Sequence, residues 1–394
     1  MLLSNRVVRA ILAVIILTGA SVAGAHDSSA YGGLFRSRDF GGTWLNADVG
    51  LFLGGAVSVA INPADPNHLL LGTDSSLLVS RSGGRDWKRE APDMLFGAVF
   101  AVAFYPDGKT ALCSTPAGIF RFDNGEWRQA TAPVEAAPSR AIALGADPER
   151  VYLLGRHDLY RSDDAGRNWA RVEHDLAERP EFTALAVDAR GGETLYAIAD
   201  GRVLMSRDGG ASWRARGSGL PETSIETLVL DAQVPDRLWA GSADRIYRSV
   251  NGGERWSAYG QPLPESGTNV RGIAANDDGR VLVLTTHRGA YRSIDAAQSW
   301  GLLEGNMPVH LEARPLLRDP SHVGTLYAGY ALMPYGEIWR NAIEGGNLLS
   351  RIDVINLGGA VAFMGLLCLG AFFLTRWLIR RRNSLHDLIR NTGK

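Results

Sequence analysis

The chain has 394 residues, of which 45% are hydrophobic, 21% charged and 8% aromatic, a profile that excludes disorder, collagen and a polytopic membrane protein. Its 41 basic and 42 acidic residues leave a net charge of -1, so no overall field draws it to nucleic acid and none is expected as a partner. The lysines are Lys88, Lys109 and Lys394; arginine does the remaining cationic work, a bias read as genomic composition.

At the start, Arg6 and Arg9 precede the apolar run 10–17, and Ala23-Gly24-Ala25 supplies the small residues a signal peptidase needs. Residues 1–25 therefore read as an export signal cut before His26, its apolar core being short for a membrane span.

From there one pattern recurs: a short apolar-aromatic strand, then Ser, an Asp-like residue, Gly and Trp. It is complete in Ser37, Asp39, Gly41, Trp44, in Ser162, Asp164, Gly166, Trp169, and in Ser206, Asp208, Gly210, Trp213. Three copies drift: Ser82 replaces Asp ahead of Trp87, Asn251 replaces it ahead of Trp256, and Ala297 replaces Gly ahead of Trp300. A seventh, 123–127, is shortened. The tryptophans 44, 87, 127, 169, 213, 256 and 300 recur at intervals of 40 to 44 residues, and each interval holds a further pair of alternating runs around a turn, so four strands per repeat are expected. The Asp can accept hydrogen bonds from turn amides, Gly allows positive φ, and Trp covers the sheet below. Four-stranded repeats at a constant period fit a β-propeller. Strand pairs begin near Val57, Val99, Ala141, Thr183, Ile225, Val270 and Leu311. The first box has no pair before it and the last pair no full box after it, which predicts seven blades with the two chain halves closing one of them, over residues 26–341. The run Glu337-Ile338-Trp339-Arg340 disturbs this count, since it resembles a third strand that would compete with Leu34–Ser37 or begin an eighth blade.

After a linker at 342–353, the segment 354–375 carries no charge for 22 residues, about 33 Å as a helix, enough to cross the hydrocarbon core. Arg376, Arg380, Arg381, Arg382, Arg390 and Lys394 follow it, so the positive-inside rule places the tail 376–394 in the cytoplasm and the propeller outside. A single-pass protein with an extracytoplasmic body is expected. Cys113 and Cys368 would have to meet across the bilayer boundary to pair, so neither a disulfide nor a zinc site is expected.

The boxes resemble the Ser-x-Asp-x-Gly-x-Thr-Trp signature of the BNR, or Asp-box, propellers, which box 37–44 matches fully. That family includes sialidases, two-propeller xyloglucanases, sortilin-type receptors and photosystem II stability and assembly factors. The resemblance implies fold far more strongly than function, because the box is structural and the fold hosts enzymes and binders. A sialidase-like site would need a Phe-Arg-Ile-Pro segment, which is absent; Arg314-Pro315 is a partial echo in another place. Xyloglucanase-like catalysis would need a cleft between two propellers, and the chain has room for one. No phosphate loop, HExxH helix or Gly-x-Ser-x-Gly elbow occurs. No catalytic residue, metal or cofactor is expected, and the chain is read as non-enzymatic.

In a four-stranded meander the A–B and C–D turns share one face and the B–C and D–A connections the other. The boxes occupy C–D turns. The opposite face is the expected binding face, and its B–C turns carry Arg156 and His157, Arg202, Arg245, and His287 and Arg288, with Tyr330 and Tyr335 in the longest connection. Arginine beside tyrosine suits carboxylates or an extended acidic peptide; the bland reading is that each Arg pairs with a neighbouring Asp. If 337–340 runs as a third strand, the chain leaves on the box face, which would then look toward the membrane. The resulting expectation is a membrane-tethered scaffold that binds a protein and assists assembly or stability of a membrane complex. The alternative is a carbohydrate-binding or glycoside-hydrolysing surface protein with a glycan ligand; sortilin-like cargo capture ranks third because the cysteine-rich modules are missing.

Overall fold

The computed structural model describes residues 32–344 except 49, 50, 52, 177, 178, 189, 191, 192, 232, 233 and 235. The expected export signal, the 354–375 span and the basic tail lie outside the described residues, and among those described no helix is long and apolar enough to cross a membrane.

Seven four-stranded antiparallel sheets form the described body. The N-terminal strands are β1 (Gly33–Ser37) and β2 (Leu45–Asn46). Six whole blades follow: β3–β6 (Ala56–Asn62, Asp65–Thr73, Leu77–Ser80, Lys88–Arg89), β7–β10 (Ala101–Phe104, Ala111–Thr115, Gly118–Asp123, Glu126–Gln129), β11–β14 (Ala141–Leu144, Val151–Leu154, Leu159–Ser162, Ala170–Arg171), β15–β18 (Phe182–Val187, Leu195–Ala199, Arg202–Ser206, Arg214–Ala215), β19–β22 (Thr227–Leu230, Leu238–Gly241, Ile246–Ser249, Ser257–Ala258) and β23–β26 (Val270–Ala275, Leu282–Thr286, Gly289–Ser293, Gly301–Leu302). The last strands, β27 (Glu312–Arg318) and β28 (Leu326–Ala331), complete a seventh sheet in the order β2-β1-β28-β27. N- and C-terminal segments thus close one blade, with Gly33 opposite Tyr330 and Ser37 opposite Leu326.

The apolar clusters lie between blades. Ala60, Leu70 and Leu77 of one blade pack against Phe104, Cys113, Phe120 and Trp127 of the next. Each buried indole hides roughly 150–250 Å², on the order of 4–6 kcal/mol of gross burial free energy before ordering costs.

The boxes are turn clamps. In the first, the Gly41 N–H donates to Ser37 Oγ (2.8 Å), the Thr43 N–H to Asp39 Oδ1 (2.8 Å) and the Trp44 indole to the Gly41 carbonyl (3.1 Å). The Ser212 hydroxyl, its N–H and Ser206 hold Asp208 down to about 2, as expected for a carboxylate saturated with donors. Drifted boxes keep the geometry: Ser82 Oγ accepts from the Asp86 N–H (2.9 Å), Asn251 Oδ1 from the Arg255 N–H (3.0 Å), and Ala297 takes φ +63° while its N–H reaches Ser293 Oγ (2.9 Å). The shortened copy is a two-residue hairpin through Asn124 and Gly125, both at positive φ.

Some arginines also have a structural task that composition did not suggest. Arg36 donates to the Gly83 carbonyl (2.6 Å), Arg121 Nε to that of Ala165 (2.8 Å) and Arg292 Nε to that of Phe40 (2.9 Å). Each guanidinium therefore holds the box turn of the neighbouring blade.

Residues 337–340 are not a third strand. They belong to α1 (Tyr335–Ile343), whose Tyr335, Ile338 and Trp339 are buried. The reason is topological: β1 already occupies the outer edge of β28, leaving no ladder for another strand there, and the spacing of these apolar residues buries one helical face. α1 packs on Val57, Ala98 and Phe100, beside the beginnings of β3 and β7. It therefore lies on the face opposite the boxes. The premise that oriented the box face toward a membrane fails with this, because the described chain ends its helix on the other face.

Two measurements check this architecture. A chain beginning after Asp48 should lose cooperative thermal unfolding through exposure of the β28 edge, and a peptide spanning residues 32–48 added in trans should restore it. Asp48, which accepts the Leu34 N–H (3.2 Å), is pushed up to about 6 by burial against the ordinary 3.8. The folded state then holds the proton more tightly, so this contribution to stability is present below pH 3.8 and is lost as pH rises through about 6. Asp48→Asn should match the parent in denaturant unfolding at pH 4 and exceed it by about 2 kcal/mol at pH 7.

Candidate binding site at the channel mouth

The innermost strands surround a central channel, and one residue near the start of each stands at an equivalent register position: Val57, Phe100, Arg140, Thr183, Glu226, Arg271 and Arg314. The N–H groups of Phe100, Arg140 and Glu226 donate to Ser114, Leu154 and Gly241 of the second strand. Val57, Thr183, Arg271 and Arg314 fall instead in register shifts, between Ala56 and Ser58, Phe182 and Ala184, Val270 and Gly272, and Ala313 and Leu316. Such bulges re-aim side chains. A cavity of about 510 Å³ opens here, with Arg140, Arg271, Arg314 and Tyr335 in its lining and aliphatic side chains such as Val59, Val102, Ile142 and Ile273 in its wall.

Helix α1 supplies the aromatic part of the rim. Tyr335 and Trp339 are near-parallel, 9° between planes and 6.4 Å between centroids. The Arg314 guanidinium lies 4.3 Å from the Tyr335 ring centroid and that of Arg140 lies 4.4 Å from the Trp339 ring. The Tyr335 N–H donates to Glu312 Oε2 (2.8 Å), anchoring the first turn of α1. Burial lowers the pKa of Arg140 and raises that of Tyr335, so Tyr335 stays neutral at pH 7.

Carboxylates offset two of the three cations. Arg140 pairs with Glu181. Arg271 lies 2.6 Å from Glu226 and 3.4 Å from Glu312. Among the described residues no carboxylate is within ion-pair distance of Arg314. Arg140 Nε is buried without a hydrogen-bond partner, and Arg271 Nε has only its 3.4 Å ion pair with Glu312. A ligand with an anionic or carbonyl-rich end would find three guanidinium groups, Tyr335 and an apolar shaft. Glu181, Glu226 and Glu312 each engage an arginine. No group of three His, Cys, Asp or Glu among the described residues could hold a metal, and Cys113 is a fully buried thiol whose pKa burial raises.

The residues singled out from sequence divide between rim, turns and core. Tyr335 lines the cavity. Arg156 and His157, Arg202, Arg245, and His287 and Arg288 occupy the second-to-third-strand turns of four successive blades on the same face, but spread along an arc and not drawn into one site. Arg156, Arg202 and Arg288 are exposed and Arg245 is half-buried. Arg288 pairs with Glu265, not with an Asp of its own turn. His157 Nδ1 lies 3.1 Å from the Pro180 carbonyl. His287 Nδ1 accepts the Asn269 N–H (3.0 Å), and burial, with Arg288 and Arg271 nearby, lowers its pKa, leaving it neutral at pH 7. Tyr330 is a correction: it lies inward from β28, fully buried, edge-on to Phe35 at 5.4 Å. Strand alternation turns it into the closing blade's core.

Residue order alone does not single out Arg140, Arg271, Glu312 and Trp339. For the arginines a signal exists: aligned on the strand starts, arginine falls at the same place in Ser139-Arg140-Ala141, Val270-Arg271-Gly272 and Ala313-Arg314-Pro315. Trp339 has no such signal, because its neighbours carry an acceptable strand pattern.

Comparison with known proteins agrees with this architecture. The photosystem II assembly lipoprotein Ycf48 of Synechococcus sp. (strain CC9902) is 32% identical over 68 residues, 17% of this chain and 20% of that protein, so the match spans a fifth of that relative's length. A solved structure of YCF48 bound to D1 peptide is 18% identical, with a TM-score of 0.54, 71% of this chain and 94% of that one being covered. The GH74 xyloglucanase from Xanthomonas campestris is 20% identical with a TM-score of 0.55, covering 73% of this chain and 55% of that one. At such identities the structural likenesses show the fold alone. Residues 123–336, more than half of the sequence, match a propeller family model: the chain belongs to the DUF6242 beta propeller domain family.

Proposed function

We propose that the protein is a non-catalytic scaffold that binds an extended segment of a partner protein at the channel mouth and serves assembly or stability of a membrane complex. The observation that carries this reading is the mouth itself, where Arg314, over the Tyr335 ring, has no carboxylate partner among the described residues and Arg140 Nε is a buried donor without a hydrogen-bond partner. A chain terminus or acidic segment would supply the missing acceptors, and the apolar shaft would take the side chains behind it. The similarity to a Ycf48 assembly lipoprotein, and the shared fold with a YCF48 bound to a D1 peptide, support a protein partner and a role in complex assembly. In this reading the export-like N-terminus and the uncharged stretch 354–375 keep the propeller outside the cytoplasm on a single membrane anchor. Glycan binding is the second reading, favoured by the three arginines, which would suit a sugar carboxylate equally, and by the fold shared with a xyloglucanase.

The test is co-purification of the full chain from its native membranes in mild detergent, followed by titration with synthetic peptides covering the extracytoplasmic termini of the captured subunit. Arg314→Gln should weaken peptide binding about tenfold to a hundredfold, the loss of one or two charge-assisted hydrogen bonds, while Arg255→Gln on the box face should leave it unchanged. Equal binding by both variants would place the interaction elsewhere. Turnover of a chromogenic glycoside, abolished by Glu226→Gln or Glu312→Gln, would establish the enzymatic reading instead.

A further inference from the structure

The face opposite the boxes is uneven in a second respect. Its exposed large apolar side chains are Leu51 (40% exposed), Met94 (38%), Phe96 (61%), Val134 (87%), Leu332 (44%) and Met333 (38%). They belong to the blade-to-blade connections entering β3, β7 and β11 and to the segment between β28 and α1, four neighbouring stretches around one side of the ring. Three of the stretches are knitted together: the Leu332 N–H donates to the Gly54 carbonyl (2.9 Å), Leu51 and Gly54 share a cavity wall with Ser76, and Ser76 bridges to Phe96. Exposed apolar residues of the box face, such as Val250, Ile294 and Val323, stand singly in separate hairpins and need no partner to explain them. The turns bearing Arg202, Arg245 and Arg288 belong to blades beyond this sector, while the turn bearing Arg156 borders it, a Cβ at Gly155 lying 3.7 Å from the Glu135 carbonyl.

We infer that this apolar sector rests on the outer surface of the lipid bilayer. The helix α1 ends at Ile343 on the same face, and residues 344–353 separate it from the uncharged stretch 354–375. Ten residues reach at most about 35 Å when fully extended, so a propeller anchored by that stretch stays close to the membrane and is tied to it through this face. The inserting residues are leucine, methionine, phenylalanine and valine on irregular connections, a composition suited to the boundary between headgroups and acyl chains; the tether supplies the second attachment that a weak apolar contact needs. With this sector on the lipid, the arginine mouth opens toward the bilayer, where the terminus of a membrane-embedded partner emerges. The inference rests on the proposed membrane anchor and not on the peptide-binding role of the mouth.

The experiment uses the full chain with Cys368→Ser, the buried Cys113 being left in place, reconstituted in phosphatidylcholine vesicles with or without brominated acyl chains. A bimane fluorophore is attached in turn at Phe96→Cys and Leu332→Cys, and at Val250→Cys and Ile294→Cys on the box face, all four positions being exposed in the fold. Brominated lipid should quench the first two at least twofold and leave the box-face labels unchanged. Unquenched labels at 96 and 332 in a chain that resists carbonate extraction would overturn the lipid contact alone, as would quenching at 250 or 294. A chain released by carbonate would overturn the anchor and this inference together, while the peptide titration with Arg314→Gln would still judge the mouth separately.

Discussion

Pairing of β1 with β28 is the contact on which the rest of the structure depends. Neither chain end can complete a blade alone: β27 and β28 leave an open edge, and β1 and β2 have no inner strands. Joining them closes the ring, so that seven innermost strands face a common channel and the interblade clusters form a continuous circle. The same contact decides the conformation of the next segment of the chain. With the β28 edge filled, residues 335–343 have no strand to pair with, and their apolar side chains are buried as a helix against Val57, Ala98 and Phe100. Closure of the ring and formation of the rim are therefore one event.

That helix gives the mouth its chemistry. Three arginines at equivalent places on different blades would repel one another in an apolar channel. Glu181, Glu226 and Glu312 offset this, and the faces of Tyr335 and Trp339 accept two of the guanidinium groups. The compensation is incomplete: Arg140 Nε is buried without a hydrogen-bond partner, Arg271 Nε reaches Glu312 only as a 3.4 Å ion pair, and Arg314 has its aromatic neighbour but no described carboxylate. Unmet hydrogen-bonding capacity in a preformed pocket is what an incoming acceptor can use without first breaking an existing interaction. The outer turns with Arg156, Arg202, Arg245 and Arg288 lack that convergence: they are the same residue type on the same face, held apart by the radius of the ring.

The uneven distribution of polar and apolar side chains on the box-free face extends the same logic outward. Boxes, with their saturated Asp carboxylates and closed turns, offer few unsatisfied groups to a partner. The irregular blade-to-blade connections on the other side carry the cavity mouth, the exit of α1 and the exposed apolar sector. Structure-building motifs and the proposed interaction surfaces are thereby separated to opposite ends of the strands.

Period, box chemistry and strand alternation are local properties, so the seven sheets, the tolerance of Ser82, Asn251 and Ala297 in drifted boxes, and the sharing of one blade by both chain ends could be read from residue order alone. Each rests on contacts within about ten residues or on a count of repeated units. Which side chains meet across the ring is not local. Arg140, Arg271 and Arg314 are separated by a large part of the chain and converge only because the circle closes; Tyr330 reads like a surface aromatic until β1 covers it; and Glu337–Arg340 has an acceptable strand pattern whose outcome depended on whether β28 still had a free edge. The sequence by itself determined the repeated wedge, through backbone turns and apolar alternation. Only the tertiary structure decided the mouth and the face on which α1 ends, because both result from competition for a single strand edge.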